Sequence, residues 1–496
     1  MLLMGIDIGT TNCKLHIYDQ NGDYVDGAKF SMVSNAEDYD SDFVWNNLKD
    51  CIKKLATNRN LGQQIVGIGI SSQGESGLLI DKNHVPLTRV IPWYHTGAQE
   101  IVEKDKGKLD STEIYQITGL DPHYIFSLQK IRWLKEHHFS EYQNAFMWHC
   151  LNDYIGFMLT GQDRMEYSSA SRTMALDIAG RRWSDKIFEL TGIKKSLMPD
   201  LIESGSPLGK ITSAVARELN INPEAVVTLA GFDHMVGCFG VGASCPGTVV
   251  ASMGTTESVC MIEKSVELGQ SFNGYLWGDN VIKDKFYKIG GIPCGGRTID
   301  WAIENILNAD ICEDTYNLYS QKCRESSTGS GGVVFLPHLN GCYTPEMNSD
   351  AKAMFTGITL NTTTADLLRA VIEGLCYEFR VVLEQGKKSG IDDILAIGGG
   401  TANHFWLQCK ADVLNIPVRI VEVKEAVTFG AALLAGHAAG VYSENQNILV
   451  KTKKTFYPDP KAHAVYEKIY QKVYKKLYAT NIQITSELDN ILKKGG

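Results

Sequence analysis

The decapeptide Gly5-Ile6-Asp7-Ile8-Gly9-Thr10-Thr11-Asn12-Cys13-Lys14 sets an acid at the end of an apolar run, then a loop of small and hydroxyl-bearing residues, then a cation. An acid in that place can hold Mg2+ through water. The loop's N–H groups and hydroxyls can take phosphate oxygens, and the metal can neutralise charge that builds during phosphoryl transfer. The tripeptide Gly9-Thr10-Thr11 returns as Gly254-Thr255-Thr256, 245 positions later and again behind an apolar run. Either copy alone reads as an ordinary turn. As a pair heading two halves of the chain, they can face each other across a cleft and grip a polyphosphate. Asp233, in Gly231-Phe232-Asp233-His234, also follows an apolar stretch. It has two readings there, a base that accepts a proton or the cap of the helix that follows.

Commoner signatures are missing. No G-x-x-x-x-G-K-[ST] occurs and no G-x-G-x-x-G follows a strand, which argues against a P-loop kinase and a dinucleotide dehydrogenase. The twelve cysteines include no C-x-x-C pair, and no H-E-x-x-H is present, so reduced, mostly buried thiols are expected rather than a zinc cage or redox dithiol. A formal net charge of -9 over 496 residues offers no basic stripe, so nucleic acid is not an expected partner. Met1-Leu2-Leu3-Met4-Gly5-Ile6-Asp7 has no basic region and meets an acid early, which is unlike a signal peptide. Apolar stretches such as 428–441 fall short of the about 20 residues that span a bilayer. A cytoplasmic protein without membrane contact is the expectation.

The elements that must position these residues alternate. Strands are expected at 2–8, 14–18, 65–71, 225–230, 248–252 and 394–397, and helices at 43–56 and about 403–414. The fold class is therefore α/β. At this length surface-to-volume scaling favours two domains with a cleft between them, and the Pro246-Gly247 turn divides the chain into 1–245 and 246–496. Residues from about 112 to 160 read as a helical insertion bearing aromatics. Tyr466, Ile469, Tyr470, Val473, Tyr474, Leu477 and Tyr478 form a stripe typical of a helix packed on a domain surface.

The chain as a whole resembles the FGGY family of carbohydrate kinases, which includes glycerol kinase, xylulokinase and gluconate kinase. The resemblance rests on Gly5 to Lys14, on Ser72-Gln73-Gly74-Glu75-Ser76-Gly77, on Gly231-Phe232-Asp233-His234 and on Ser252-Met253-Gly254-Thr255-Thr256-Glu257. It continues through Gly295-Gly296, Glu373-Gly374, Gly398-Gly399-Gly400-Thr401-Ala402-Asn403, Glu425 and Gly430-Ala431-Ala432. It implies two actin-like, ribonuclease H-like domains, with sugar held mainly by the first and ATP by the second, closing to exclude water during transfer. It implies Asp233 as catalytic base and, with Asp7, as a metal candidate for Mg2+.

Gln73, Glu75, Asp233, His234, Tyr94 and His95 are the implied substrate contacts. For His234, packing in the first helical turn is an equal reading. Gly9, Thr10, Thr11, Asn12, Lys14, Gly254, Thr255, Thr256, Gly296, Gly399, Gly400 and Asn403 are the implied nucleotide contacts, although for Lys14 a strand-surface cation is the favoured reading. Many ketose-phosphorylating relatives carry Trp-x-Asp-x-Arg, whereas this chain has Trp93-Tyr94-His95-Thr96-Gly97. His95 stands for the acid and Gly97 for the cation, so substrate must be bound differently. The expected activity is ATP-dependent phosphorylation of a hydroxyl of a small sugar, polyol or sugar acid, a ketopentose or related compound being favoured. The alternative is an actin-like, nucleotide-dependent binding or regulatory protein without kinase chemistry. A homodimer is compatible with this reading, the oligomeric state itself not being legible.

Overall fold

The computed structural model describes residues 1–33, 36–386, 390–443 and 450–494. Two mixed sheets carry the chain. The first has the order Gly209–Lys210, Val226–Phe232, Ile65–Ser72, Leu2–Ile8, Asn12–Asp19, Tyr24–Ser31. Leu2–Ile8 to Tyr24–Ser31 form an antiparallel meander, while Ile65–Ser72 and Val226–Phe232 add in parallel on its other side. Leu2–Ile8 is central and its apolar run is nearly all buried, whereas Asn12–Asp19 alternates because one of its faces is partly open.

The second sheet repeats the plan. Val249–Met253, Glu257–Glu263 and Phe286–Ile292 make its meander, and Ile394–Ile397 and Val418–Val421 add in parallel. Leu276–Asp279 and Thr452–Phe456 extend its edges. Each Gly-Thr-Thr copy fills the turn between the first two strands of its sheet. The fold is thus two actin-like, ribonuclease H-like halves, as the duplicated tripeptide signals.

An excursion between Ile65–Ser72 and Val226–Phe232 builds a third core from Leu79, Leu120, Phe126, Ile131, Trp148 and Met174, among others. Its helices are Ser111–Thr118, Ser127–His137 and Phe139–Asn144, tied down by the strand pair Gly77–Ile80 and Met147–Cys150. The helical pattern expected over 112–160 is therefore broken by a strand. Its last helix, Leu151–Thr160, packs Leu151, Tyr154, Ile155 and Leu159 into the core of the first sheet instead. At the far end of the chain, Tyr466, Tyr470, Tyr474 and Leu477 are buried in the core of the second half.

Two helices join the halves, Asp233–Gly240 and Ala426–Ala438. The second follows the last parallel strand of the second sheet, yet it lies on the first. A Cβ on Gly5 would come 1.8 Å from the Thr428 carbonyl oxygen, and one on Gly69 2.0 Å from that of Ala431. The helices meet each other in the same way, since a Cβ on Gly240 or Gly430 would stand 2.1 Å from the Ala426 or Val236 oxygen. No side chain fits between these backbones. Gly5→Ala is expected to destabilise the protein by more than the roughly 1–3 kcal/mol usual for overpacking. Gly399→Ala, whose Cβ would meet nothing within 4 Å, should stay within about 0.5 kcal/mol of the wild type. Urea unfolding of both variants checks the contrast, and equal midpoints would refute the close approach.

Candidate active site

Leu2–Ile8 delivers Asp7 to the floor of the cleft, opposite Lys14 in register. Its Oδ1 is buried without a hydrogen-bond partner. Burial, with repulsion from Asp233 next, raises its carboxyl to about 8. Val226–Phe232 ends nearby and runs straight into the helix Asp233–Gly240, so Phe232 takes the cap position and Asp233 is the first helical residue. Asp233 is thus not the cap; its Oδ1 accepts from the adjacent His234 N–H at 2.7 Å. Gly231 permits this direct entry, with φ +121° and a Cβ position only 2.4 Å from Ser168 Oγ. Asp233 lies deep in the cleft but keeps an open edge. Burial lifts its carboxyl to about 7 against the pull of the His234 N–H, Glu75 adding to the rise and Arg172 opposing it. Two coupled carboxyls, one with an orphaned oxygen, form a donor set that an oxygen-seeking divalent cation such as Mg2+ would satisfy.

Beside Asp233 stands a wall from the first half. Glu75 is buried in a left-handed turn, φ +64°, and its Oε1 accepts from Arg172 Nε at 2.6 Å. The guanidinium is held between the rings of Phe126 and Phe232, 5.2 and 5.1 Å from their centroids. Lys130 Nζ donates to the Glu75 carbonyl at 3.1 Å, and burial pulls its ammonium down to about 7. The His234 ring stacks on Phe232 at 5.1 Å; burial and then Arg172 lower its pKa, favouring the neutral imidazole.

Gln73 is engaged within the protein, its Oε1 accepting from Thr10 Oγ1 at 2.6 Å and its Nε2 donating to Tyr39 OH at 3.0 Å. Trp93 Nε1 donates to the same Thr10 hydroxyl at 2.9 Å. The neighbouring Tyr94 and His95 continue this rim, with the His95 ring edge-on to Trp133 at 4.8 Å. A Cβ on Gly97 would lie 2.4 Å from His95 Cε1. The departures at 95 and 97 are therefore linked, because the imidazole occupies the space a side chain at 97 would need.

The opposite wall belongs to the second half. Gly254 N–H donates to the Thr256 carbonyl, two residues on, at 2.9 Å, whereas Gly9 N–H donates to that of Asn12, three residues on, at 3.1 Å, so the two turns occupy matching places but close differently. Gly254, Thr255 and Thr256 are exposed, and Thr10, Thr11 and Asn12, exposed or half-buried, form the corresponding turn of the first sheet. Gly295 and Gly296 donate to the Thr255 and Gly254 carbonyls at 2.9 and 2.8 Å, fixing the second loop from behind. Gly398, at φ +91°, and Gly400 press on Met253, leaving Gly399 as the member of the triplet with open space beside its backbone. Asn403 Oδ1 caps the His404–Leu414 helix through Trp406 N–H at 3.1 Å. Lys14 Nζ pairs with Glu425 Oε2 at 2.8 Å, linking the two halves at the cleft floor rather than standing free for phosphate.

Residues 2–240 match the FGGY family of carbohydrate kinases, N-terminal domain, and residues 249–439 match its C-terminal domain. The chain belongs to the FGGY family of carbohydrate kinases. It is 27% identical over 503 aligned residues to a xylulose kinase of Staphylococcus epidermidis, covering 98% of each chain. It is 26% identical to the L-fuculokinase of Escherichia coli, covering 94% of this chain and 99% of that one. Among solved structures, a xylulose kinase from Rhodospirillum rubrum superposes with TM-score 0.89 at 22% identity, covering 98% of this chain and 100% of that one. This FGGY protein is accordingly a carbohydrate kinase, a phosphotransferase acting on a sugar-type acceptor.

Sequence reasoning missed two cations of the kinase's cleft. Arg172 sits in the run Tyr167-Ser168-Ser169-Ala170-Ser171-Arg172-Thr173, and a lone cation amid small residues was the available signal. Lys130 shares the buried face of its helix with Ser127, Ile131 and Leu134, a position that asks for a partner. The Asp7 carboxyl makes a testable demand. Below its ordinary value of 3.8 both folded and unfolded chains are protonated; between 3.8 and about 8 only the unfolded chain ionises, so stability falls until the loss is complete above about 8. Asp7→Asn should therefore raise the Tm of the metal-free kinase at about pH 8, by about 2–4 °C for each kcal/mol recovered. The gain should shrink toward zero as pH approaches about 4. Calorimetry across that range checks it, and a pH-independent difference would show that Asp7 is ionised throughout.

Proposed function

We propose that this kinase transfers the terminal phosphoryl group of Mg-ATP to a hydroxyl of a small sugar, polyol or sugar acid, with a ketopentose or related compound as the favoured acceptor. The observation that carries this reading is the convergence of Asp7 and Asp233 between the Glu75 wall and the two Gly-Thr-Thr loops. A hydroxyl seated against Glu75 lies beside Asp233, whose raised carboxyl is well matched to taking a proton near neutral pH. A carboxylate accepts two sugar hydroxyls well, and the Arg172 guanidinium, donating through Nε, orients the Glu75 side chain. Asp7 and Asp233 would hold Mg2+, which supplies charge neutralisation for the transferring phosphoryl group. Loops 9–11 and 254–256 take phosphate oxygens, and the open face at Gly399 lets the adenosine approach the backbone. The related xylulose kinase and L-fuculokinase act on sugars, which supports that substrate class. Tyr94 and His95, where His95 stands for the acid and Gly97 for the cation of Trp-x-Asp-x-Arg, give the rim its own selectivity.

An ATP-consumption screen over ketopentoses, ketohexoses, linear polyols and aldonic acids, with products followed by mass, tests the reading; no phosphorylated product from any of them would overturn it. With the acceptor in hand, Asp233→Asn should lower kcat by about 10²- to 10⁴-fold while ATP affinity stays within a few-fold. A folded variant with near-normal turnover would remove Asp233 from the chemistry.

Gly399→Val addresses the nucleotide end. Its side chain would project into open space, so the fold should be unaffected and ATP binding weakened by at least about tenfold, with sugar binding nearly intact. Calorimetric titration with each ligand reads this out, and unchanged ATP affinity would place the adenosine elsewhere.

A further inference from the structure

The second half contains a cavity of about 800 Å³ between the Thr364–Gly386 helix, the segment following strand Val334–Leu336, and the C-terminal tyrosine stripe. His338, Cys342 and Glu378 line it, all three buried, each with one donor atom within 4.8 Å of the others'. We propose that these three side chains bind a divalent transition-metal ion, zinc foremost, at a site separate from the catalytic cleft.

His338 Nε2 stands 3.1 Å from Glu378 Oε1, and Cys342 Sγ stands 3.8 Å from the same oxygen. Donors bound tetrahedrally to zinc, at about 2.0–2.1 Å for nitrogen and oxygen and about 2.3 Å for sulfur, are separated by about 3.3–3.6 Å. The two separations to Glu378 Oε1 lie within a few tenths of an ångström of those values, and the histidine and thiol donors lie within 4.8 Å of each other. Tyr474 OH donates to Glu378 Oε2 at 2.7 Å, which leaves Oε1 facing the histidine and the thiol. The loop bearing the ligands is pinned as well, by Cys342 N–H to the Asn348 carbonyl at 2.8 Å and Gly291 N–H to Thr344 Oγ1 at 2.9 Å.

Ordinary packing explains the cluster poorly. A buried thiol gains little from lying beside a carboxylate, as Cys342 Sγ does at 3.8 Å from Glu378 Oε1. A bound cation reverses that balance and releases the thiol proton. Nitrogen, sulfur and one carboxylate oxygen suit zinc, whereas Mg2+ and Ca2+ seek all-oxygen sites. Three protein donors beside a cavity leave a fourth position for water or a small ligand. No sequence motif announces the site, since Glu378 lies 36 residues beyond Cys342.

The test uses the full-length protein stripped of metal and titrated with Zn2+ against a chromogenic chelator, then with Co2+. One equivalent should bind, and the Co2+ form should show a thiolate-to-cobalt charge-transfer band with tetrahedral d–d absorption. Cys342→Ser should abolish the band, and His338→Gln should weaken Zn2+ binding by at least about tenfold. Removal of the exposed thiols, Cys245→Ser with Cys312→Ser, should leave both signals intact. Absence of a bound equivalent, a band that survives Cys342→Ser, or a band lost with Cys245 and Cys312 would each overturn the proposal. Should Cys342→Ser fail to fold, His338→Gln and Glu378→Gln decide it by the same titration.

Discussion

The backbone packing of the Ala426–Ala438 helix on the first sheet is the constraint from which the position of every functional group follows. Gly5, Gly67 and Gly69 offer no side chains to that helix, and Gly430 and Gly240 let the two joining helices touch in turn. Asp7 is two residues beyond Gly5 on the same strand. Asp233 opens one joining helix, and Glu425 immediately precedes the other. The distance between halves at the cleft floor is thus set by carbonyl oxygens resting directly on glycine backbone, the stiffest spacer a protein has. Side chains farther out can then be placed to within the tolerance that phosphoryl transfer requires.

Electrostatics gives the floor and the wall different characters. On the wall, Glu75 and Arg172 neutralise each other between aromatic rings, so the desolvation cost of each charge is offset by its partner. Breaking such a pair from one side typically costs about 3–5 kcal/mol. At the floor, Lys14 lowers the Asp7 carboxyl but is already paired with Glu425. Burial and the neighbouring Asp233 are left to raise the proton affinity of Asp7. The floor is thus left sensitive to whatever cation or proton is offered to it, and on the wall Lys130, its ammonium pulled down to about 7, shares that sensitivity.

Much of this is legible in the sequence wherever the signal is local. Ile65–Ser72 and Ile394–Ile397 stand out because strands buried in the middle of a sheet are apolar runs with sharp ends, and the doubled Gly-Thr-Thr exposes the repeated plan. Asp7 and Asp233 can be picked out because the first stands near the end of such an apolar strand and the second follows one directly. Long-range pairings are not legible. Arg172 meets a glutamate 97 residues away and Lys14 one 411 residues away, and nothing in either local run names the partner. The Ala426–Ala438 helix is apolar nearly all round, so its pattern says that it is buried without saying between which layers. The helical insertion expected from the sequence is too long because Met147–Cys150 is a four-residue strand inside an otherwise helical stretch.

The separate core beneath the Glu75 wall makes the cleft a junction of independently cooperative units. A satellite core opens with its own free energy rather than that of the whole molecule. Its tether to the first sheet runs through the strand Gly77–Ile80, immediately after Glu75. Heat or denaturant acting on that core first would disorder the Glu75 wall while both Gly-Thr-Thr loops stayed folded on their sheets. A preparation in that state would keep the half proposed to hold the nucleotide and lose the wall proposed to seat the acceptor.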